Sequence, residues 1–151
     1  MADREQSVCF DGEQGSVEIL LERFEFPELT GGADANWIVG KVILTDDSDV
    51  RGSLVQPLYL RTDELEDFLK DLGAVVSGES NSASTNHVEE QYGIEIRRDS
   101  ERVAIDAWVS DHEKRFEIKG IELELAQIAD THRQLAQAVV AFPAKGDPYG
   151  S

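Results

Sequence analysis

Three histidines and one cysteine are the residues of this sequence best suited to metal binding or nucleophilic catalysis. His87, His112 and His132 each lack a second histidine or cysteine two to four residues away, the spacing that forms a ligand pair. Each lies beside at least one polar residue, which favours a solvated histidine in a turn or helix. Cys9 lies in a polar stretch with no nucleophile motif around it. The sequence therefore predicts neither a zinc site nor a cysteine nucleophile.

Motifs for phosphate binding and acyl transfer are also missing. The chain has no Gly-x-Gly-x-x-Gly, no Walker-type glycine loop and no Gly-x-Ser-x-Gly. The run 46–49 (Asp-Asp-Ser-Asp) begins like a calcium loop, but Arg51 and Pro57 occupy the positions of its glycine and its last glutamate. We interpret the run as a hairpin turn. We expect a protein that is not an enzyme and has no cofactor, although a pair of carboxylates that meet only in space stays open.

Charge is the dominant feature of the composition. Fourteen basic and 31 acidic residues give 14 − 31 = −17, and the acidic residues occur throughout the chain. Such a surface repels nucleic acids and anionic membranes and attracts basic proteins. A basic protein partner is therefore favoured, and nucleic-acid and membrane binding are disfavoured. The alternative is that the acidity serves only solubility.

Two acidic segments are candidates for binding such a partner. The first is the turn that carries Asp46, Asp47 and Asp49, and the second is a predicted helix face. The helix face consists of Glu64, Glu66, Asp67 and Asp71. Each segment can meet lysine or arginine on a partner. Exposed turns and helix faces are also commonly charged for solvation alone, so the alternative is a purely solvated surface.

The first half of the chain predicts three strands and a helix. Alternating apolar residues indicate a strand at 16–24, and the apolar segment 37–45 is typical of a central strand. A third strand, 54–60, contains Pro57, which favours an edge position or a bulge. Thr62 is the predicted N-cap of the following helix, and Gly73 is its predicted end.

The second half repeats this order after a Ser/Asn-rich segment, 77–86, that predicts a flexible loop. Three further strands lead to a helix over 130–142, and a change of apolar parity at Gly120 indicates a bulge. We predict an α+β domain, 1–151, with about six mostly antiparallel strands and two helices. Its halves, 16–73 and 87–143, leave a β-β-β-α duplication open.

Cysteine content and hydropathy predict a cytoplasmic protein. Cys9 is the only cysteine, so no intramolecular disulfide can form. The first residues lack the basic and apolar regions of a signal peptide, and no apolar run approaches the roughly 20 residues that span a bilayer.

Two segments carry a family resemblance. Residues 34–38 (Asp-Ala-Asn-Trp-Ile) and 60–69, which contain a Leu-x-Thr-x-Glu-Leu helix start, resemble the WapI-type immunity proteins of bacteria. The long Ser/Asn-rich segment and the fewer aromatic residues after the first helix depart from that pattern. The resemblance implies a cytoplasmic antidote that binds and blocks the toxic domain, often a nuclease, of a polymorphic toxin. An acidic protein fits this task because a nuclease has a basic cleft for phosphates.

Two other functions stay open on the sequence. A generic interaction or scaffold module could form a homodimer through an edge strand such as the one that contains Pro57. An enzyme or small-ligand binder could have a pocket lined by Trp108, Tyr92 or Tyr59.

Overall fold

The computed structural model describes residues 5–46, 51–110 and 114–146. These residues form eight strands and two helices, so the α+β class is confirmed and the number of strands is eight, not six. A short 3-10 turn, Asp34–Asn36, precedes the third strand. The elements are β1 Gln6–Asp11, β2 Gly15–Phe24, β3 Trp37–Asp46, β4 Arg51–Arg61, α1 Thr62–Ser77, β5 Ser82–Ser84, β6 Tyr92–Asp99, β7 Arg102–Ser110, β8 Arg115–Glu124 and α2 Leu125–Ala141.

The first sheet is an antiparallel meander in the order β1-β2-β3-β4. Strand β3 lies between β2 and β4, as its apolar sequence predicted, and its inward residues Ile38, Val42 and Leu44 are buried. Strand β4 is the last strand of this sheet, so the edge position predicted from Pro57 is confirmed.

The second sheet has the order β5-β6-β7-β8 and is also antiparallel. Its β7–β8 register shifts by one residue between Ile105 and Ala107, which places an extra residue on β8. Gly120 lies at this shift with a φ of 73°, so the predicted bulge is confirmed. The Asp106 carboxylate accepts a hydrogen bond from the Gly120 N–H at 2.9 Å and holds the bulge in place.

The two strands that the sequence did not predict are β1 and β5. Val8 and Phe10 of β1 alternate with more exposed residues and are fully buried, but their polar neighbours obscured this pattern. Strand β5 lies within the predicted loop 77–86 and buries only Ala83. Each half of the fold therefore consists of four strands and a helix.

The prediction for the first helix was wrong at both ends, and the prediction for the second was wrong at its start. Arg61, not Thr62, is the N-cap of α1, and the helix continues through Gly73 to Ser77. Gly78 ends it in the left-handed conformation, with a φ of 88°, that favours glycine. Helix α2 begins at Leu125 instead of Asp130, directly after β8.

The two halves exchange their helices. Helix α2, from the second half, packs on β1 of the first sheet, whereas α1 packs on β5 of the second sheet and against α2. Strands β3 and β4 also contact β7, and β2 and β3 contact β8. One hydrophobic cluster therefore contains residues from both sheets and both helices.

Candidate functional site

Helix α1 presents three carboxylates to solvent. Glu66, Asp67 and Asp71 are exposed, whereas Leu65, Phe68 and Leu72 on the opposite side are buried. We call Glu66, Asp67 and Asp71 the α1 acidic face. Lys70 is exposed among them, four residues after Glu66, so the group has a net negative charge. This face can bind cationic side chains of a partner.

Side-chain hydrogen bonds, one set within the turn and one to the segment before β3, fix the first turn of α1. The Arg61 guanidinium donates two hydrogen bonds to the Asp63 carboxylate, at 2.8 and 2.9 Å. The Thr62 hydroxyl donates to Asn36 Oδ1 at 2.8 Å, and both residues are fully buried. Thr62 therefore anchors the helix to the turn before β3 and does not cap it.

Glu64 occupies a different environment from the other predicted acidic residues. Its side chain is only 7% exposed, and one carboxylate oxygen accepts a hydrogen bond from the Arg61 N–H at 3.1 Å. The other oxygen lies 2.8 Å from Nδ1 of His87, whose side chain is 1% exposed. The expectation of a solvated histidine is therefore wrong for His87. A glutamate at the third helical position is the sequence signal for such a capping role.

The last turn of α1 is held by the second sheet. The Arg98 guanidinium, from β6, donates to the backbone oxygens of Val75 at 2.6 Å and Val76 at 3.0 Å. Both carbonyls lie in the last turn, where that of Val75 also accepts from the Gly78 N–H at 3.2 Å, and a cation beside them complements the helix dipole. Helix α1 is thus fixed at both ends, which keeps its exposed carboxylates in a defined arrangement.

Asp46, the first residue of the acidic run 46–49, lies far from the start of α1. Asp46 is half-buried at the end of β3, opposite Gly15 and Arg51, while Trp37 at the other end pairs with Arg61. Asp46 follows Trp37 by nine positions, which is about 30 Å along the strand. Asp47 and Asp49 lie outside the described residues.

A groove of about 750 Å³ lies between β4 and the segment 85–91. One wall is formed by residues of β4 and the other by the segment before β6. The lining residues are Leu54, Val55, Gln56, Pro57, Tyr59, Glu89, Glu90, Gln91 and Ser110. Tyr59 is the one predicted pocket residue in this lining; the pairing of the two walls has no signal in the local sequence, because they are far apart in the chain.

A second cavity, of about 480 Å³, lies on the other side of the segment 85–91. Tyr92 and Trp108, two of the three predicted pocket residues, line it together with His87, while Tyr59 lines the groove. Burial, and then the charge of Glu64, raise the pKa of Tyr92 far above its usual range. Both ring nitrogens of His87 face protein groups, Glu64 and Gln91, so the visible role of this histidine is structural.

The described residues contain neither a metal-binding cluster nor a membrane-spanning helix. Within 5–46, 51–110 and 114–146, no three His, Cys, Asp or Glu residues are grouped closely enough to hold a metal ion. No helix in the same ranges is long and apolar enough to cross a membrane. His112 lies outside these ranges.

Residues 9–143 match the profile of the family described as immunity protein WapI-like. The chain belongs to this family. The match begins in β1 and ends just after α2, so it includes both sheets and both helices. Membership confirms the resemblance inferred from residues 34–38 and 60–69, and the description of the family indicates an antidote to a toxin.

The two segments that carry the resemblance meet in the structure of this WapI-like protein. Asn36 in the first segment and Thr62 in the second form the buried hydrogen bond that anchors α1. The two segments are therefore parts of one structural contact in this chain.

The other comparisons do not add information about function. No match is found among curated proteins. Solved structures that resemble this WapI-like chain include Trypanosoma bruciei MRP1/MRP2, with a TM-score of 0.48, 13% identity and coverage of 92% of this chain and 85% of that chain. A guide-RNA-binding protein complex bound to a guide RNA has a TM-score of 0.48, 12% identity and coverage of 89% of each chain.

Proposed function

We propose that this WapI-like protein is a cytoplasmic antidote that binds a basic toxin domain and blocks it, without catalysing a reaction. Family membership is the observation that supports an antidote. The net charge of −17 supports a basic partner, because an acidic surface accelerates encounter with cations and disfavours nucleic acid. A nuclease-type domain fits best, since its phosphate-binding cleft is basic and an acidic protein can occupy it.

The α1 acidic face is the proposed contact surface. Glu66, Asp67 and Asp71 are exposed on a helix that Arg61, Asn36 and Arg98 fix in place. A surface that is ordered before binding loses less conformational entropy on association. Asp46, Asp47 and Asp49 belong to the same proposal as a second contact, and Glu64 contributes by holding the helix through His87.

The test is a pull-down from the cell that carries the gene, at ionic strengths of about 0.01 M and about 1 M, where the Debye lengths are roughly 30 and 3 Å. The wild-type chain should retain a basic protein at low ionic strength only. The triple variant Glu66→Gln/Asp67→Asn/Asp71→Asn should bind the purified partner about three- to hundredfold more weakly, from roughly 0.2–1 kcal/mol for each charge pair.

A charge-matched control separates the α1 acidic face from bulk charge. Glu28→Gln/Asp99→Asn/Glu101→Gln also changes the net charge from −17 to −14, at three exposed positions outside α1. This variant should bind like the wild type. Equal weakening of both variants would reject the α1 acidic face as the contact surface.

Measuring the toxicity of the captured partner tests whether this chain is an antidote. The captured protein, expressed alone in a host that lacks both genes, should arrest growth, and co-expression of the wild-type chain should restore it. A captured basic protein that is harmless would contradict the antidote function and favour a scaffold.

Self-association through β4 is the alternative mode of binding. Gln91 covers part of this edge, since its side chain accepts from the Tyr59 N–H at 2.9 Å and donates to the Pro57 carbonyl at 2.8 Å. Leu54, 44% exposed near the other end of the strand, favours an apolar contact there. A sedimentation experiment that shows a concentration-dependent dimer, abolished by Leu54→Lys, would support the homodimer.

A further inference from the structure

The groove between β4 and the segment 85–91 combines apolar and acidic walls. Leu54, Pro57 and Tyr59 provide apolar surface on β4, and Glu89 and Glu90 are exposed on the opposite wall. Leu54 is 44% exposed, an unusual position for a leucine in a sheet. A surface of this composition fits an apolar side chain that has cationic neighbours.

The shape of the groove favours an extended peptide segment. It follows β4 from Leu54 to Tyr59, which is about 17 Å and matches roughly five residues of extended chain. Gln91 already binds the backbone of β4 at Pro57 and Tyr59. The segment is therefore recognised there by its side chains, and not by addition of a strand to the sheet.

The groove is also connected to α1. Gln91 Oε1 lies 3.4 Å from Nε2 of His87, and Nδ1 of the same ring lies 2.8 Å from the Glu64 carboxylate. These contacts fix one wall of the groove relative to the first turn of α1. A partner that meets the α1 acidic face thus meets a groove whose position relative to that face is fixed.

We infer that this groove binds an extended segment of the basic partner, in which an apolar residue contacts Leu54 and Pro57 while flanking lysine or arginine residues contact Glu89 and Glu90. The inference rests on the proposed function for the identity of the partner. The groove is a contact in addition to the acidic surfaces, and it selects partners by an apolar anchor as well as by charge.

The test uses three synthetic nonapeptides with blocked ends and isotope-labelled full-length protein, followed by nuclear magnetic resonance. One peptide alternates lysine and leucine, the second alternates lysine and serine, and the third alternates glutamate and leucine. The first should shift the amide signals of residues 54–59 and 89–91 and bind most tightly. The second lacks the apolar anchor and the third has the wrong charge, so both should bind at least about tenfold more weakly, a difference of about 1.4 kcal/mol.

Two pairs of variants locate the binding site. Leu54→Ser should weaken the lysine–leucine peptide several-fold, whereas Val140→Ser, at an 80% exposed apolar position on α2, should not. Glu89→Gln/Glu90→Gln should weaken it, whereas Glu28→Gln/Asp99→Asn, at two exposed positions outside both α1 and the groove, should not, although both double variants change the net charge from −17 to −15. Circular dichroism checks that every variant is folded.

The outcomes separate this inference from the proposed function. Signal shifts confined to α1, or equal weakening by both double variants, would overturn the groove as a binding site and leave the antidote function intact. If the groove variants lose the peptide but the purified toxin partner binds them normally, the groove does not serve that partner, and the inference is wrong. If the peptide results hold and no basic toxin is captured, the proposed function fails while the groove stands as a binding site.

Discussion

At the scale of single residues, Asn36 joins three parts of the chain. Its side-chain amide donates to the carbonyls of Gly32 and Lys145, at 2.8 and 2.9 Å, and its oxygen accepts from Thr62 and from the Lys145 N–H. All of its hydrogen-bonding capacity is used in a fully buried position. Asn36 therefore connects the turn before β3, the start of α1 and the segment after α2.

Asn36→Ala should lower the free energy of unfolding by at least about 3 kcal/mol, because more than one buried group loses its partner at roughly 1–3 kcal/mol each. Asn36→Asp should also destabilise the protein at neutral pH, since a carboxylate cannot donate to the two carbonyls. Urea denaturation measures both effects. Asn86→Ala, at an exposed asparagine, is the control and should change stability by less than about 0.5 kcal/mol. Similar losses for Asn36→Ala and Asn86→Ala would contradict a structural role for Asn36.

Asp106 is a second residue whose environment has a measurable consequence. The Arg97 guanidinium, 2.9 Å away, lowers the pKa of the Asp106 carboxyl, and the Gly120 N–H acts in the same direction against partial burial. The folded state therefore favours the charged form. This stabilisation is present above the unfolded pKa of about 3.9 and is lost as the pH falls through the lower folded value.

Asp106→Asn should reduce the acid sensitivity of the fold. Between pH of about 7 and about 2.5, the wild-type protein should lose more unfolding free energy than the variant, because only the wild type must protonate this carboxylate. Urea denaturation at several pH values tests the difference. Glu95→Gln, at the residue directly opposite Asp106 on β6, is the control. The prediction fails if Asp106→Asn and the wild type lose stability in parallel.

At the scale of elements, α2 protects the outer edge of the first sheet. Three polar residues along the helix bind the backbone of β1: Gln127 donates to the Asp11 carbonyl, Thr131 donates to the Cys9 carbonyl at 2.6 Å, and Gln134 accepts from the Cys9 N–H at 2.7 Å. Uncovered strand edges promote pairing with other chains. The helix from one half thus covers the edge strand of the sheet in the other half.

Gln134→Leu should lower the free energy of unfolding by about 1–3 kcal/mol, because the Cys9 N–H then lacks its partner in a partly buried site. Gln137→Leu introduces the same side chain at an exposed position of α2 and should have little effect. Urea denaturation of the two variants provides the comparison. Equal stability of both would show that the hydrogen bond to β1 does not contribute.

The elements also show what local patterns can and cannot predict. Strand β3 follows from its continuous apolar segment and the bulge at Gly120 from a change of apolar parity, and both were predicted correctly. Gly73 was mistaken for a helix end because a glycine also serves where two helices approach each other. An added Cβ there would lie 3.1 Å from the ring of His132 on α2. That contact between distant segments has no signal in the local sequence, and the same holds for Glu64 with His87.

At the scale of the whole molecule, each half forms a hydrogen bond to the other half through a residue at an equivalent position. Glu-Gln stands at 13–14, immediately before β2, and again at 90–91, immediately before β6. Gln14 accepts from the Glu122 N–H on the last strand of the second sheet, as Gln91 does from Tyr59 on the last strand of the first. Together with the exchanged helices, this pattern favours a duplication of a β-β-β-β-α unit, a longer unit than the sequence suggested.

The net charge of −17 acts on the whole molecule in two opposing ways. Self-repulsion among carboxylates destabilises the compact state, and salt screens that repulsion. Attraction to a basic partner is screened by the same salt. Raising the ionic strength should therefore stabilise the fold and weaken the complex at the same time.

We expect the free energy of unfolding to rise between ionic strengths of about 0.01 M and about 0.5 M, measured with urea because it is uncharged. The rise should be smaller for Glu66→Gln/Asp67→Asn/Asp71→Asn, which removes three of the repelling charges. Over the same range the affinity for the captured partner should fall. These opposite signs exclude unfolding as the cause of lost binding at high salt. If the free energy of unfolding instead fell as salt rose, unfolding could explain the lost binding. That result would also contradict self-repulsion as the dominant effect of the charge.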